Sequence, residues 1–177
     1  NKYYDLENLD VYSYSITDGS TDYGSGVSKK DYDHVTAEKA INWLKENDNE
    51  KPFFLYLNFQ ATHNPNAYPD EYSYFKPDDG TPSIITNYDE AGTNNYDNAL
   101  RYVDEQVGEI YSFLEENGLD DDTIIAITSD HGHDLENRHD IVGHGNSIYN
   151  EELIVPAIVS IPDVVPSVVE DDVSHID

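Results

Sequence analysis

The sequence contains no cysteine and no methionine in 177 residues. Without a thiol, the chain can form no disulfide, no thiolate metal site and no cysteine nucleophile. The lack of methionine indicates that Asn1 is not a natural start, so we expect a fragment of a longer chain. No apolar run approaches the roughly 20 residues that cross a bilayer, so we expect no membrane segment in this chain.

Basic residues are also scarce. The chain has 9 lysines and arginines against 37 aspartates and glutamates, a formal net charge of −28. This charge repels phosphate backbones and anionic membrane surfaces, so we expect no nucleic-acid partner. The 15 tyrosines, the 5 phenylalanines and the apolar periodicity disfavour an acidic disordered tract. A halophilic source would suit such a surface, because concentrated salt screens the repulsion between its charges.

Apolar patterning predicts a folded α/β structure. At this length the chain is one domain or part of one, and it can bury a core. Three short apolar runs, at 53–59, 123–128 and 156–161, predict strands buried on both faces. Apolar residues at three- and four-residue steps predict helices over 36–47 and 96–117. In the second helix they form one apolar face that we expect to pack on the sheet: Leu100, Val103, Val107, Ile110 and Leu114. A helix, a short turn and a strand form the return half of a βαβ unit, which implies a parallel sheet with helices on its faces.

Two polar stretches lie outside these elements. Residues 1–34 are rich in Tyr, Asp and Ser and predict an irregular leading segment. Within it, the spacing from Asp18 to Gly24 is near that of a calcium loop, but the glycine falls one place late, so we interpret it as a polar turn. Residues 67–94 form a long excursion, and loops of this length in compact domains are usually functional or disordered.

An acidic residue and a histidine stand side by side after the central predicted strand. Asp130 and His131 directly follow it, and Gly132 permits the backbone to bend there. Ligands in open α/β sheets gather beyond the carboxyl ends of the strands. An Asp oxygen with a His nitrogen suits zinc or manganese, and calcium less naturally. Taken alone, the pair is weak evidence for a metal site, and a solvated loop after a core strand is the better interpretation.

Several motifs in one order resemble those of the sulfatase family, within the alkaline phosphatase superfamily. In chain order they are Thr62-His63-Asn64-Pro65, the run 95–110 leading to Asn117-Gly118-Leu119, Ser129-Asp130-His131-Gly132, Gly143-His144-Gly145 with the run 146–156, and the run 172–177. The resemblance implies a three-layer αβα fold with a mostly parallel sheet, alkaline-phosphatase-like and partial here. Residues 1–177 would then be a single partial domain, from the carboxyl side of the catalytic domain.

The resemblance also implies roles for four residues, and we expect their side chains to converge on one cleft. Asp130 and His131 match late metal ligands of the family, which implies a divalent metal ion, calcium by resemblance and zinc or manganese as alternatives. His63 matches a histidine that contacts the sulfate or phosphate group or protonates the leaving oxygen, tasks that suit the imidazole pKa. His144, between two glycines, matches a position that faces the ester group of the substrate.

The implied activity is hydrolysis of small-molecule or carbohydrate sulfate or phosphate esters, with this chain supplying part of the active site. The nucleophile of the family and its early aspartate pair have no counterpart here, and two ligands hold a metal weakly. We therefore expect the chain alone to be inactive. Residues 146–149 carry no lysine where many sulfatases clamp sulfate, so the choice between sulfate and phosphate stays open.

Two other functions stay open: a transferase of the same superfamily that moves a phosphoryl-linked head group, and a non-catalytic acidic module that binds cations. The remaining polar residues of the motifs are predicted to be structural or solvated. We expect solvated side chains at His133, Asp134 and His139, a lead-in to the last strand at Glu151 and Glu152, and helix capping at His175 and Asp177.

Overall fold

The structure, a computed structural model, describes residues 33–47, 52–78, 89–135, 144–145 and 147–175. Its elements, in chain order, are α1 (Asp33–Glu46), a 3-10 turn (Asp70–Tyr72), α2 (Glu90–Glu116), a second 3-10 turn (Asp120–Asp122), β1 (Ile125–Thr128), α3 (Asn150–Leu153) and β2 (Ala157–Ser160). The predicted leading segment lies outside the described residues up to position 32, and the calcium-like turn lies there with it.

Both predicted helices are confirmed, and both begin earlier than predicted. The start of α2 is set by Asp89, whose carboxylate accepts a hydrogen bond from the Gly92 amide at 3.1 Å. At the other end, Gly118 takes the left-handed conformation with φ 64°. The Leu119 amide then donates to the Leu114 carbonyl at 2.9 Å, which closes the helix as predicted.

The two long helices pack against each other and bury apolar side chains. These side chains are Ala37, Ala40 and Leu44 on α1 and Ala99, Tyr102 and Leu114 on α2. His34 adds a polar link, because its backbone amide donates to the Tyr102 hydroxyl at 2.7 Å and its ring Nδ1 lies 2.8 Å from the same oxygen. The core of the described chain is therefore helical, and it lies away from the strands.

The buried face of α2 is rotated from the predicted apolar stripe. Leu100, predicted to face the core, is 49% exposed, so that prediction was wrong. The polar side chains that are buried along the inner face are Asn95, Asn98 and Gln106. Asn95 and Asn98 form hydrogen bonds with the chain packed above them, so this face of the helix makes polar as well as apolar contacts.

Asn98 fastens the start of the long excursion to α2. Its Oδ1 accepts hydrogen bonds from the Tyr74 and Phe75 amides at 2.9 and 2.8 Å, and its Nδ2 donates to the Phe75 carbonyl at 3.1 Å. Beside it, the Tyr68 hydroxyl donates to Asn95 Oδ1 at 2.8 Å. The part of the excursion that the structure describes, residues 67–78, is thus held in one conformation by a buried side chain.

The two strands pair antiparallel. β1 and β2 align Ile125 with Ser160 and Thr128 with Ala157. We predicted parallel strands at 123–128 and 156–161, and for this pair the prediction was wrong. A parallel return usually runs through a crossover helix that packs on the sheet. In the described part of the connection between these strands, the only helix is the four-residue α3.

The predicted strand at 53–59 is extended but is paired with no neighbour among the described residues. Its odd-numbered side chains are half-buried, and Trp43 packs edge-on against Phe53 with ring centroids 5.8 Å apart. Its even-numbered side chains face outward, with Phe54 and Tyr56 each 77% exposed. One face is covered by α1, whereas the prediction placed both faces in the interior.

Candidate active site

The extended segment 52–60 ends in a turn whose backbone is held by a buried carboxylate. Asp33, at the start of α1, accepts hydrogen bonds from the Gln60 amide at 3.0 Å and the Ala61 amide at 2.8 Å. Burial raises the pKa of Asp33, and the hydrogen bonds from the two amides act in the opposite direction. The first helix therefore fixes the end of the segment from which His63 projects.

His63 lies in that turn with its ring orientation set by the backbone. The His63 amide donates to the Gln60 carbonyl at 2.9 Å, and the Asn66 amide donates to the His63 carbonyl at 2.7 Å. Its ring Nδ1 is 2.8 Å from the Asn64 carbonyl. A carbonyl can only accept, so Nδ1 carries the proton of the neutral ring and Nε2 keeps its lone pair.

His131 shows the same arrangement at the end of β1. Its Nδ1 lies 2.8 Å from the Gly132 carbonyl, so the proton of the neutral ring is on Nδ1. Its Nε2 faces Asp130, with the Oδ1 atom 3.7 Å away. A metal-binding histidine typically donates its other nitrogen to a carbonyl in this way, which fixes the ring and its tautomer.

Asp130 and His131 fit a pair of ligands to one divalent ion. Two donors that each bind an ion at about 2.0 to 2.5 Å lie about 3 to 4 Å apart, which brackets the measured 3.7 Å. Across the described ranges, however, no group of three or more His, Asp or Glu side chains is placed to hold a metal. The pair therefore supplies two of the four or more ligands that a divalent metal site needs.

His144 brings the separate segments together. Its ring stacks on His131 with centroids 4.0 Å apart and planes inclined by 21°. It also meets the ring of His63 edge-on, with centroids 5.4 Å apart. The structure thus places His63, His131 and His144 side by side, although they come from three widely spaced stretches of sequence. Their convergence was predicted, whereas the roles assigned to them remain predictions.

His133 belongs to the same cluster, contrary to the expectation that it is solvated. Its ring centroid lies 5.5 Å from that of His144 and 6.2 Å from that of Tyr96. Burial lowers the pKa of His133 to about 4, and the imidazoles of His144, His131 and His63 add to the effect. The only signal in the sequence was its place two residues after His131, and that spacing alone does not separate a clustered histidine from a solvated one.

The pKa of His144 is also lowered, first by burial and then by His131 and His63. Glu152 and Asp130 oppose that shift. Both shifts favour the neutral imidazole over the charged form at these two residues. The rings of His133 and His144 therefore present nitrogen donors and acceptors to a ligand.

The other residues considered from sequence are distributed as follows. Asp134 is buried, so the expectation that it is solvated was wrong. His175 places Nε2 2.9 Å from the Thr128 hydroxyl, at the end of β1. Glu152 is buried on α3, whereas Glu151 beside it is half-buried. His139 and Asp177 lie outside the described residues.

A comparison with models of protein families matches the sulfatase family over residues 1–177. The chain belongs to the sulfatase family. This membership agrees with the resemblance that its motifs show and makes it a relative of sulfuric ester hydrolases. In the part of this sulfatase chain that the structure describes, no helix combines the length and the apolar character needed to cross a membrane.

Individual proteins similar to this sulfatase chain cover it well but extend far beyond it. A multifunctional alkaline phosphatase superfamily protein, PehA, of Trinickia caryophylli is 26% identical over 80% of the chain and 35% of its own length. An endo-4-O-sulfatase of Bacteroides thetaiotaomicron is 28% identical over 75% of the chain and 29% of its own length. The chain therefore spans about a third of the length of these curated relatives.

The solved structures give the same result. A structure described as a sulfatase of Bacteroides fragilis superposes with a TM-score of 0.59 at 31% identity. The match covers 73% of this chain and 31% of that one. The fold of the described residues is thus part of an alkaline-phosphatase-like sulfatase fold.

Proposed function

We propose that this chain forms part of the active site of a metal-dependent hydrolase of sulfate esters. The observation that carries the proposal is the convergence of His63, His131 and His144 beside Asp130, because these residues come from three separate stretches of the chain. In the complete enzyme, we infer that the chain is the carboxyl-side portion of a three-layer catalytic domain with a mostly parallel sheet.

Asp130 and His131 would hold the divalent ion. Their separation and the carbonyl behind His131 Nδ1 support this assignment. Family membership favours calcium, whereas an oxygen beside a nitrogen also suits zinc or manganese. When bound, the ion would polarise the ester oxygens and lower the pKa of the nucleophile.

His63 and His144 would act on the ester group itself. The contact with Asn64 engages Nδ1 of His63, so Nε2 is the ring nitrogen that can take up a proton and, as the imidazolium, deliver it to the leaving oxygen of the ester. His144, held between His63 and His131, can donate a hydrogen bond to a non-bridging oxygen. Fixed rings reduce the reorganisation needed as charge develops in the transition state.

Family membership favours sulfate over phosphate esters, because the sulfatase family model matches residues 1–177 and an endo-4-O-sulfatase is among the similar proteins. Residues 146–149 supply no lysine to bind the sulfate, so its counter-charge would come from the bound metal ion. No observation favours the head-group transferase or the non-catalytic cation-binding module.

Metal binding by the chain tests the first part of the proposal. Mn²⁺ is titrated into the 177-residue chain while the ring protons of its histidines are followed by NMR. We expect paramagnetic broadening of His131 and His144 at the lowest additions, and its loss in Asp130→Ala and His131→Ala. The matched control is Asp171→Ala, which removes an exposed carboxylate distant in sequence. Broadening that begins elsewhere on the acidic surface, or persists in both site variants, would overturn the assignment.

Activity is tested on the complete enzyme with aryl sulfate and aryl phosphate. We expect hydrolysis of the sulfate to exceed hydrolysis of the phosphate, and His63→Ala to lower kcat by roughly 10²-fold or more, the usual range for a lost general acid. The gene upstream of Asn1 offers a second check. An Asp-Asp pair followed by Cys-x-Pro-x-Arg, or by a lone serine or threonine, would supply the remaining ligands and the nucleophile.

A further inference from the structure

Glu152 forms hydrogen bonds with the backbone next to His131 and with the backbone next to His144. It lies on α3 and is 6% exposed. Its backbone carbonyl accepts a hydrogen bond from the Gly132 amide at 2.8 Å. Its carboxylate accepts one from the Gly145 amide at 2.6 Å and another from the Ser147 hydroxyl. Gly132 follows His131 and Gly145 follows His144, so one residue supports the backbone beside each stacked ring.

The approach of the two segments is as close as a backbone permits. A Cβ atom added to Gly132 would lie 2.1 Å from the Glu151 carbonyl oxygen, which is far inside contact distance. α3 therefore presses directly on the bend that follows His131. The segment carrying His144 is placed relative to the same short helix through the carboxylate of Glu152.

A carboxylate suits this task better than an amide. Its two oxygens accept from the amide of Gly145 and the hydroxyl of Ser147 at the same time, whereas a glutamine offers a single acceptor oxygen. A hydrogen bond to an ionised acceptor is also shorter and stronger than a neutral one. Glu151, the preceding residue on α3, makes neither of these contacts through its side chain.

We propose that Glu152 is a positioning residue that sets the stacking of His144 on His131. Its carboxylate binds the backbone that follows His144, and its carbonyl binds the backbone that follows His131. Because both groups belong to one residue, they fix the position of one ring relative to the other. That this relative position aligns the ester-binding imidazole with the metal-binding one rests on the proposed function. The stacking itself does not.

The stacking is measured by NMR on the 177-residue chain without metal. The wild type should show an NOE between the rings of His131 and His144 and upfield shifts of their protons from mutual ring currents. Glu152→Ala should lose both signals. The NOE between Tyr72 and Tyr102, whose ring centroids are 4.7 Å apart in the helical region, should remain and show that the fold is intact. Glu151→Gln is the matched control and should resemble the wild type.

Glu152→Gln keeps one acceptor oxygen and the shape of the side chain, so it should restore part of the ring-current shift. An inter-ring NOE that survives in Glu152→Ala with the tyrosine NOE intact would overturn the proposal. If Glu152→Ala unfolds, Glu152→Gln decides: a weakened stacking NOE beside an intact tyrosine NOE supports positioning, and an unchanged one contradicts it. Unfolding of both variants would show a structural role and would also overturn it.

Adding Mn²⁺ to the same samples separates this proposal from the proposed function. In the wild type we expect broadening of both His131 and His144. In Glu152→Ala we expect His131 to broaden at similar concentrations while His144 broadens less. If Mn²⁺ fails to bind the wild type at this site, the proposed function fails, and the metal-free NOE still tests the role of Glu152.

Discussion

The helical region of this chain, which is α1, α2 and residues 68–78, and its strand region, which is β1 and β2, differ in how much of their apolar surface is buried. α1, α2 and the segment 68–78 bury Tyr102 and Asn98 and satisfy their hydrogen bonds within the chain. β1 and β2 pair with each other, yet Ile127 on β1 is 38% exposed and Ile158 on β2 is 60% exposed. Strand side chains of this kind are normally covered on both faces of an α/β sheet.

This difference shows that the hydrophobic pattern of a segment and the presence of its packing partners are separate pieces of information. The helical region contains its own partners, so the residues of its predicted apolar faces are at least partly buried, with Leu100 as the exception. The strand region carries the pattern of an interior sheet but lacks a full set of partners among the described residues. Because the chain spans about a third of its curated relatives, we expect the remaining part of a sulfatase domain to cover these strands.

The sharpest test of the comparison removes one large side chain from each region. Tyr102→Ala should lower the free energy of unfolding by about 3 to 5 kcal/mol, because it empties a buried aromatic site. The substitution also removes the Tyr102 hydroxyl, which forms hydrogen bonds with His34. Ile158→Ala on β2 should change the same free energy by less than about 0.5 kcal/mol, as expected for an exposed position. Urea unfolding measures both, and equal losses would contradict the contrast.

A smaller loss of stability is expected when Asn98 is replaced. Asn98→Ala leaves the Tyr74 and Phe75 amides without their acceptor, and an unsatisfied buried group costs about 1 to 3 kcal/mol. Hydrogen exchange at those two amides should accelerate together with the loss of stability. Asn94→Ala on the same helix is the control, because it removes only a hydrogen bond to the Pro77 carbonyl in an exposed position. Protection that persists at Tyr74 in Asn98→Ala would refute the role of the anchor.

A pair of glycine substitutions contrasts the site with the helix. Gly132→Ala should disturb the bend after His131, because its Cβ would meet the Glu151 carbonyl, and overpacking of this kind costs about 1 to 3 kcal/mol. Gly108→Ala in α2 meets nothing within 4 Å and should stabilise the chain by about 0.5 to 1 kcal/mol. Thermal unfolding of the two variants measures whether each substitution lowers or raises the stability. A neutral Gly132→Ala would show that α3 does not press on the bend.

The smallest expected signal is turnover by the 177-residue chain itself. Two proposed ligands and no activated nucleophile leave the ester without a positioned attacking group, and positioning accounts for about 7 kcal/mol or more of a catalysed barrier. The chain should hydrolyse aryl sulfate and aryl phosphate no faster than buffer with calcium, manganese or zinc. Turnover that exceeds buffer and disappears in the double variant Asp130→Ala, His131→Ala would show that the chain is self-sufficient.

The candidate site could be predicted where neighbouring residues carry a motif. His63, Asp130, His131 and His144 each stand in a short recognisable run, so the resemblance located them before the structure brought them together. Glu152 and His133 were placed among structural or solvated residues. Their contacts cross an irregular loop, from Glu152 to Gly132, Gly145 and Ser147 and from His133 to His144, and no helical or strand periodicity encodes contacts of this kind.

The fold could be predicted at the level of elements and less well at the level of partners. Helical periodicity located α1 and α2, and the cap at Asp89 explains the earlier start of α2. The direction of pairing between β1 and β2 was wrong, because an apolar run reports burial and says nothing of its neighbour. Leu100 was misplaced because hydrogen-bonded Asn95 and Asn98 occupy the inner face of α2.

A crystal structure of the complete enzyme with Mn²⁺ and sulfate tests the central claim most directly. The anomalous signal of the metal should lie within bonding distance of Asp130 and His131, and the sulfate should contact His63 and His144. The ring of His144 should remain stacked on His131, as it is here at 4.0 Å. A metal bound away from Asp130, or a sulfate with His63 turned away from it, would contradict the account of this chain as part of a sulfatase active site.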